Sequence, residues 1–184
     1  LLNRGARIFQ LSSDCSEKIG EASLLWLGVC RKNPEGPRVM KKDGYYYLFL
    51  AEGGTGMGHR VTVARSKTLY GPYEPCPHNP IVRQNDESQL LQCCGHGRVV
   101  DTPEGDWYIA YLTLRRSKDG YGFTGRETCI DPLVWDKDGW PLVNGGKGPG
   151  VFSRIPKKTK STKEYPDAEY YPAWKNKLWN TPRA

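Results

Sequence analysis

The chain has 184 residues, 38% hydrophobic and 11% aromatic, with 21 Gly, 14 Pro and a formal net charge of +7. That length holds one domain's core, and no apolar run approaches the roughly 20 residues of a membrane-crossing helix, so the chain reads as soluble with no membrane partner. Eight Lys/Arg against three acids lie from Arg154 onward, so most of the charge is in the tail and no nucleic-acid partner is expected of the nearly neutral body.

So many turn-formers and aromatics favour β-structure over helices. In chain order, strands are predicted over residues 6–11, 23–29, 38–41, 45–51, 60–66, 98–101, 107–113, 130–135 and 140–143. Asp43-Gly44 joins 38–41 to 45–51 as a tight hairpin, because a two-residue turn needs positive φ. Pro103-Glu104-Gly105 and Asp138-Gly139 mark two further hairpins. No convincing amphipathic helix exceeds two turns.

Two hairpins repeat each other. EGPRVMKKDGYYYLFLA (35–51) aligns with GHGRVVDTPEGDWYIAYL (95–112) at an offset of 60 residues. Strand-turn-strand units repeating with their turns in place suggest propeller blades. On that reading a blade ends near Cys30, and 35–75, 93–115 and 126–145 are three more. Residues 1–150 form a partial propeller and 151–184 a basic connector.

Cys15, Cys30, Cys76, Cys93, Cys94 and Cys129 form no CxxC pair and no zinc spacing, so free thiols are expected. Leu1-Leu2-Asn3 does not read like a natural start. The compartment, cytoplasmic or secreted, therefore stays open.

PEGPRVMKKDGYYYLFLAEGGT, SKTLYGPYE, GHGRVVDTPEGDWYIAYL and GRETCIDPLVWDKDGWPLVN, in this order and spacing, resemble glycoside hydrolase family 43. The likeness covers roughly residues 6–148 and is strongest to the β-xylosidase and α-L-arabinofuranosidase branch. It implies an all-β, five-bladed propeller of which this chain supplies about the last three and a half blades. It also implies inverting hydrolysis of terminal β-xylosyl or α-L-arabinofuranosyl residues in hemicellulose-derived oligosaccharides.

By the same resemblance Glu35, of the Glu-Gly-Pro motif, is the general acid. Such an acid needs a fixed direction toward the leaving oxygen, and Pro34 and Pro37 restrict the backbone around it. The bland alternative is a loop carboxylate paired with a lysine. His96, between Gly95 and Gly97, is implied to sit near the axis beneath the sugar. No cofactor is needed for the chemistry, but His96 would contact a central calcium ion through water. Otherwise it is a satisfied buried imidazole. Arg126 matches a substrate-binding arginine; its alternative is an ion pair with Glu127 or Asp131. Glu127 points to the opposite strand face and stays outside the catalytic set.

The family's two aspartates, base and acid modulator, match nothing in this chain. The base is expected from an N-terminal propeller portion, as a companion fragment or subunit. Residues 165–184 look like the lead-in to a β-sandwich. Two other function classes stay open, a glycan-binding module using Trp26, Phe123 and Trp140, and a propeller scaffold for protein partners.

Overall fold

The structure is a computed structural model that describes residues 5–120 and 122–153. Strands β1 (Ala6–Leu11) and β2 (Lys18–Trp26) form an antiparallel pair. Strands β3 (Glu35–Lys42), β4 (Tyr45–Glu52), β5 (Arg60–Ser66) and β6 (Glu74–Pro75) make a four-stranded sheet in chain order. Strands β7 (Leu91–Asp101), β8 (Trp107–Arg115), β9 (Arg126–Trp135) and β10 (Pro141–Val143) make a second sheet, again in chain order. One 3₁₀ turn at Asn144–Gly146 is the sole helical element among the described residues. No helix there is long and apolar enough to cross a membrane. The all-β reading stands. The connector from position 154 onward, and with it the lead-in at 165–184, lies outside the described residues.

The blade division requires correction. Residues 93–115 and 126–145 were expected as separate units, yet they share one sheet. β8 is paired on both edges, with β7 from Asp101↔Trp107 to Leu91↔Arg115 and with β9 from Trp107↔Leu133 to Leu114↔Arg126. A lone hairpin leaves two open edges and cannot bury both faces, so the two hairpin-like segments merge. The described chain therefore holds two four-stranded sheets and one two-stranded pair.

Local sequence explains the strands. Lys42 pairs with Tyr45, leaving Asp43 (φ 48°) and Gly44 (φ 76°) as a two-residue turn with both φ values positive. Along β4, Tyr47 and Phe49 face a core shared with the second sheet, while Leu48 and Leu50 face β1 and β2. That is the period-2 alternation of a strand covered on both sides, and hence its continuous apolar run. The larger core joins Val61 and Val63 of β5 to Val99, Ile109, Tyr111 and Leu133 of the second sheet.

A polar clasp fixes the two sheets against each other. The Arg65 guanidinium lies 4.4 Å from the Tyr45 ring centroid and 3.9 Å from that of Trp140. It donates to the Asp138 carbonyl at 2.5 Å, while the Tyr47 hydroxyl donates to the Gly139 carbonyl at 2.6 Å. Trp140 is thus a buried core residue, which corrects its reading as a glycan platform. Trp26 likewise packs on the Leu48–Leu50 cluster, whereas Phe123 is 81% exposed.

All six cysteines are free thiols, as expected. Burial pushes Cys76 and Cys94 up to about 11, so neither is a ready nucleophile.

Candidate active site

The first strands of the two sheets carry the same irregularity. In β3 the register shifts between Glu35 and Arg38, and in β7 between Gly95 and Arg98, positions exactly 60 residues apart in the repeat. At the matching inner positions, Gly36 has φ 55° and His96 has φ 53°. These are β-bulges, which add a residue, bend the strand and re-aim side chains. Pro37 sits inside the first bulge, where no ladder donor is required.

The two bulges turn Glu35 and His96 toward each other. His96 Nδ1 lies 3.9 Å from Glu35 Oε1, with both side chains part-exposed. Among the described residues Glu35 therefore faces an imidazole and not a lysine. A Cβ at Gly36 would fall 2.3 Å from His96 Nε2, so only glycine lets the ring lie over that backbone. His96 is accordingly no enclosed imidazole.

A third residue joins them that sequence reasoning did not single out as functional. His59, which ends the Gly56-Met57-Gly58 loop just before β5, is 2% exposed. A ring nitrogen of His59, a ring nitrogen of His96 and a carboxylate oxygen of Glu35 all lie within 4.8 Å of one another. The His59 ring covers Gly95, where a Cβ would come within 2.5 Å of it. His59 Nδ1 stands 2.9 Å from the Cys93 carbonyl, which only accepts, so Nδ1 carries the hydrogen. Burial is the main reason its pKa falls below the usual histidine value; the charges of His96 and Arg126 push the same way, against the Cys93 bond and Glu35. The signal available in sequence was the Gly-x-Gly-His loop, which nothing nearby marked as part of the site.

Arg126 opens β9 opposite Leu114 and is exposed. Its positive charge is among the groups that lower the His59 pKa. Its expected ion-pair partners are engaged elsewhere. Glu127 binds Arg115 at 2.9 Å, and Asp131 accepts from the Tyr111 hydroxyl at 2.7 Å and from the Gly150 N–H at 2.9 Å.

The loop entering Glu35 is held from behind by Glu52. This fully buried carboxylate accepts N–H bonds from Val29 at 2.9 Å and from Cys30 and Arg31 at 3.0 Å, and the Thr62 hydroxyl at 2.5 Å. Gly28, at φ 83°, clears space for it, since a Cβ there would meet Oε1 at 2.3 Å. A cavity of about 260 Å³ opens beside the His59 loop, lined by Met57, Cys93, Leu114, Arg115 and Arg116 among others.

Residues 3–141 match the family model for glycosyl hydrolases family 43. The chain is 42% identical over 154 residues to a β-xylosidase of Bacillus subtilis, covering 78% of this chain and 29% of that protein. It is 43% identical over 117 residues to a non-reducing-end α-L-arabinofuranosidase of Bacteroides ovatus, covering 63% of this chain and 22% of that one. The solved structure of the GH43 protein BlXynB from Bacillus licheniformis superposes with a TM-score of 0.79 at 46% identity, over 89% of this chain and 32% of that one. The chain thus spans less than a third of the length of these relatives. On the family match and these identities, the chain belongs to glycosyl hydrolases family 43.

Proposed function

We propose that this chain is the general-acid part of an inverting glycoside hydrolase acting on terminal β-xylosyl or α-L-arabinofuranosyl residues. The observation that carries the reading is the repeated bulge that brings Glu35 and His96 together from two sheets. The relatives' names, β-xylosidase and α-L-arabinofuranosidase, supply the substrate class.

In the proposed reaction the Glu35 carboxyl gives its proton to the glycosidic oxygen as the bond from the anomeric carbon to that oxygen breaks. Water attacks the opposite face and loses its proton to a carboxylate base, so the anomeric configuration inverts. The base must stand roughly 6.5–9.5 Å from the acid to leave room for that water. We assign it to an aspartate outside this chain, on the N-terminal portion that completes a five-bladed propeller. Arg126 and His96 bind the sugar, the guanidinium through paired donors to hydroxyls.

The chemistry needs no cofactor. Calcium prefers six to eight oxygen ligands, and the cluster offers one carboxylate and two imidazoles. A central calcium would therefore be held by water, with His96 reaching it only through that shell.

Glu35→Gln in the full-length protein tests the reading. It should cut hydrolysis of unactivated xylosides by about 10²–10⁴-fold and spare aryl glycosides whose leaving groups need little protonation. Equal losses on both substrates would make Glu35 structural.

A further inference from the structure

The geometry points to a binding site for a late first-row divalent cation, represented by Zn²⁺, formed by Glu35, His59 and His96 and mutually exclusive with catalysis. The exclusion rests on Glu35 being the general acid; the site itself does not.

Three observations converge. The donor set is two imidazoles and one carboxylate within 4.8 Å of one another. Such a set suits zinc and its neighbours and not calcium or magnesium. His59 is fixed as a ligand before any ion arrives. Its Nδ1–H donates to the Cys93 carbonyl at 2.9 Å, and a ligating histidine commonly spends its other N–H in this way. Its second nitrogen, Nε2, is buried and has no hydrogen-bond partner among the described residues. An acceptor so enclosed, on a residue 2% exposed, awaits a donor or a cation.

The distances need little closure. Ligand atoms around a tetrahedral zinc stand about 3.3 Å apart, given bonds of about 2.0–2.2 Å. His96 Nδ1 and Glu35 Oε1 already stand 3.9 Å apart on part-exposed side chains. Their tips can close onto the fixed His59, and Gly36 and Gly95 leave room for both rings. The fourth position remains for water. A bound Glu35 is a carboxylate without a proton to give, so an occupied site cannot protonate a leaving group. The cation would act as an inhibitor that selects the site by its ligand chemistry.

The test is a Zn²⁺ titration of the full-length protein by calorimetry against a competing chelator, with hydrolysis followed on the same samples. One Zn²⁺ per chain is expected, weakened at least tenfold by each of Glu35→Gln, His96→Asn and His59→Asn. Asparagine at 59 can still donate to the Cys93 carbonyl but has no acceptor in the place of Nε2. Hydrolysis by the unaltered protein should fall in step with occupancy and return with EDTA. If His59→Asn does not fold, the exposed Glu35→Gln and His96→Asn carry the binding test. Zn²⁺ affinity unchanged in the variants overturns the site, and Ca²⁺ held more tightly by the same residues overturns its donor class. Zn²⁺ bound at these residues with hydrolysis intact overturns the exclusion. Full activity of Glu35→Gln on unactivated xylosides would sink the acid assignment, leaving the titration to judge the site.

Discussion

β3 and β7 use one backbone device to carry different cargo. Each bends at a bulge 60 residues from the other, yet the left-handed position is Gly36 in one and His96 in the other. In β3 the functional side chain precedes the left-handed residue; in β7 it occupies it. A non-glycine residue there stores strain of order 1–3 kcal/mol. In this conformation the His96 ring lies over Gly36, where a Cβ would meet it at 2.3 Å. The approaches differ as well. Buried Glu52 anchors the loop entering β3, whereas exposed Asp86 organises the turn entering β7. The two strands are repeats in form and not in energetics.

The largest break in that comparison should come from Glu52→Ala. It removes the acceptor of three N–H groups on a part-buried loop and of the buried Thr62 hydroxyl. A donor left unsatisfied in the interior, as the Thr62 hydroxyl would be, costs about 1–3 kcal/mol, and the three loop N–H groups add to that. Urea unfolding of the full-length protein should show that loss, with hydrolysis falling further because the loop aims Glu35. A cost under about 1 kcal/mol would mean that the loop holds itself.

The glycines under the two imidazoles should come next, and unequally. Gly95→Ala drives a Cβ to 2.5 Å from the buried His59 ring, which has no room to yield. Overpacking of that kind costs about 1–3 kcal/mol. Gly36→Ala meets the part-exposed tip of His96, which can swing away, so the stability loss should be smaller, near the 1–2 kcal/mol of the left-handed backbone alone. Its effect on kcat/KM should nevertheless be the larger, since His96 leaves Glu35. Melting curves and kinetics on both variants check the crossing order.

Much of this was legible in the sequence, and the misses have physical causes. Asp43-Gly44 and the apolar run of β4 fix a hairpin by local rules, and the structure keeps it. Glu35 and His96 lie at related places in the repeat, and they do meet. The merging of β7–β8 with β9–β10 was not legible, because edge pairing across the loop between Arg115 and Arg126 is settled by burial and not by turn residues. Trp140 read as a surface platform since nothing local tells an exposed tryptophan from one capped by Arg65. His59 was passed over for a similar reason. Its partners lie 24 residues before it and 37 after it, at Glu35 and His96, and only the closure of the two sheets brings them near.

The smallest effect should come from Asp86, the exposed counterpart of Glu52. Its carboxylate accepts from the Ser88 hydroxyl at 2.6 Å, the Gln89 amide at 2.9 Å and the Ser88 N–H at 2.9 Å. Those bonds, the Ser88 hydroxyl first, hold its pKa down at about 2 against an ordinary 3.8. A carboxyl depressed on folding contributes stability above its unfolded value and loses it as pH falls through the folded one. The contribution is therefore intact above about pH 4 and fades toward pH 2, a window fixed by this single shift. Full exposure lets water replace much of what the turn provides. The buried Gln92 amide also holds the Asp86 and Gln89 carbonyls, at 2.9 and 2.8 Å, whatever the charge on Asp86. Asp86→Asn should thus speed amide exchange at Ser88 at neutral pH while leaving the melting temperature nearly unmoved. The unaltered protein should approach the variant's exchange only below pH 4. A melting-temperature loss comparable to that of Glu52→Ala would show that the two approaches are energetically alike, and the contrast between the strands would then lie in the bulges alone.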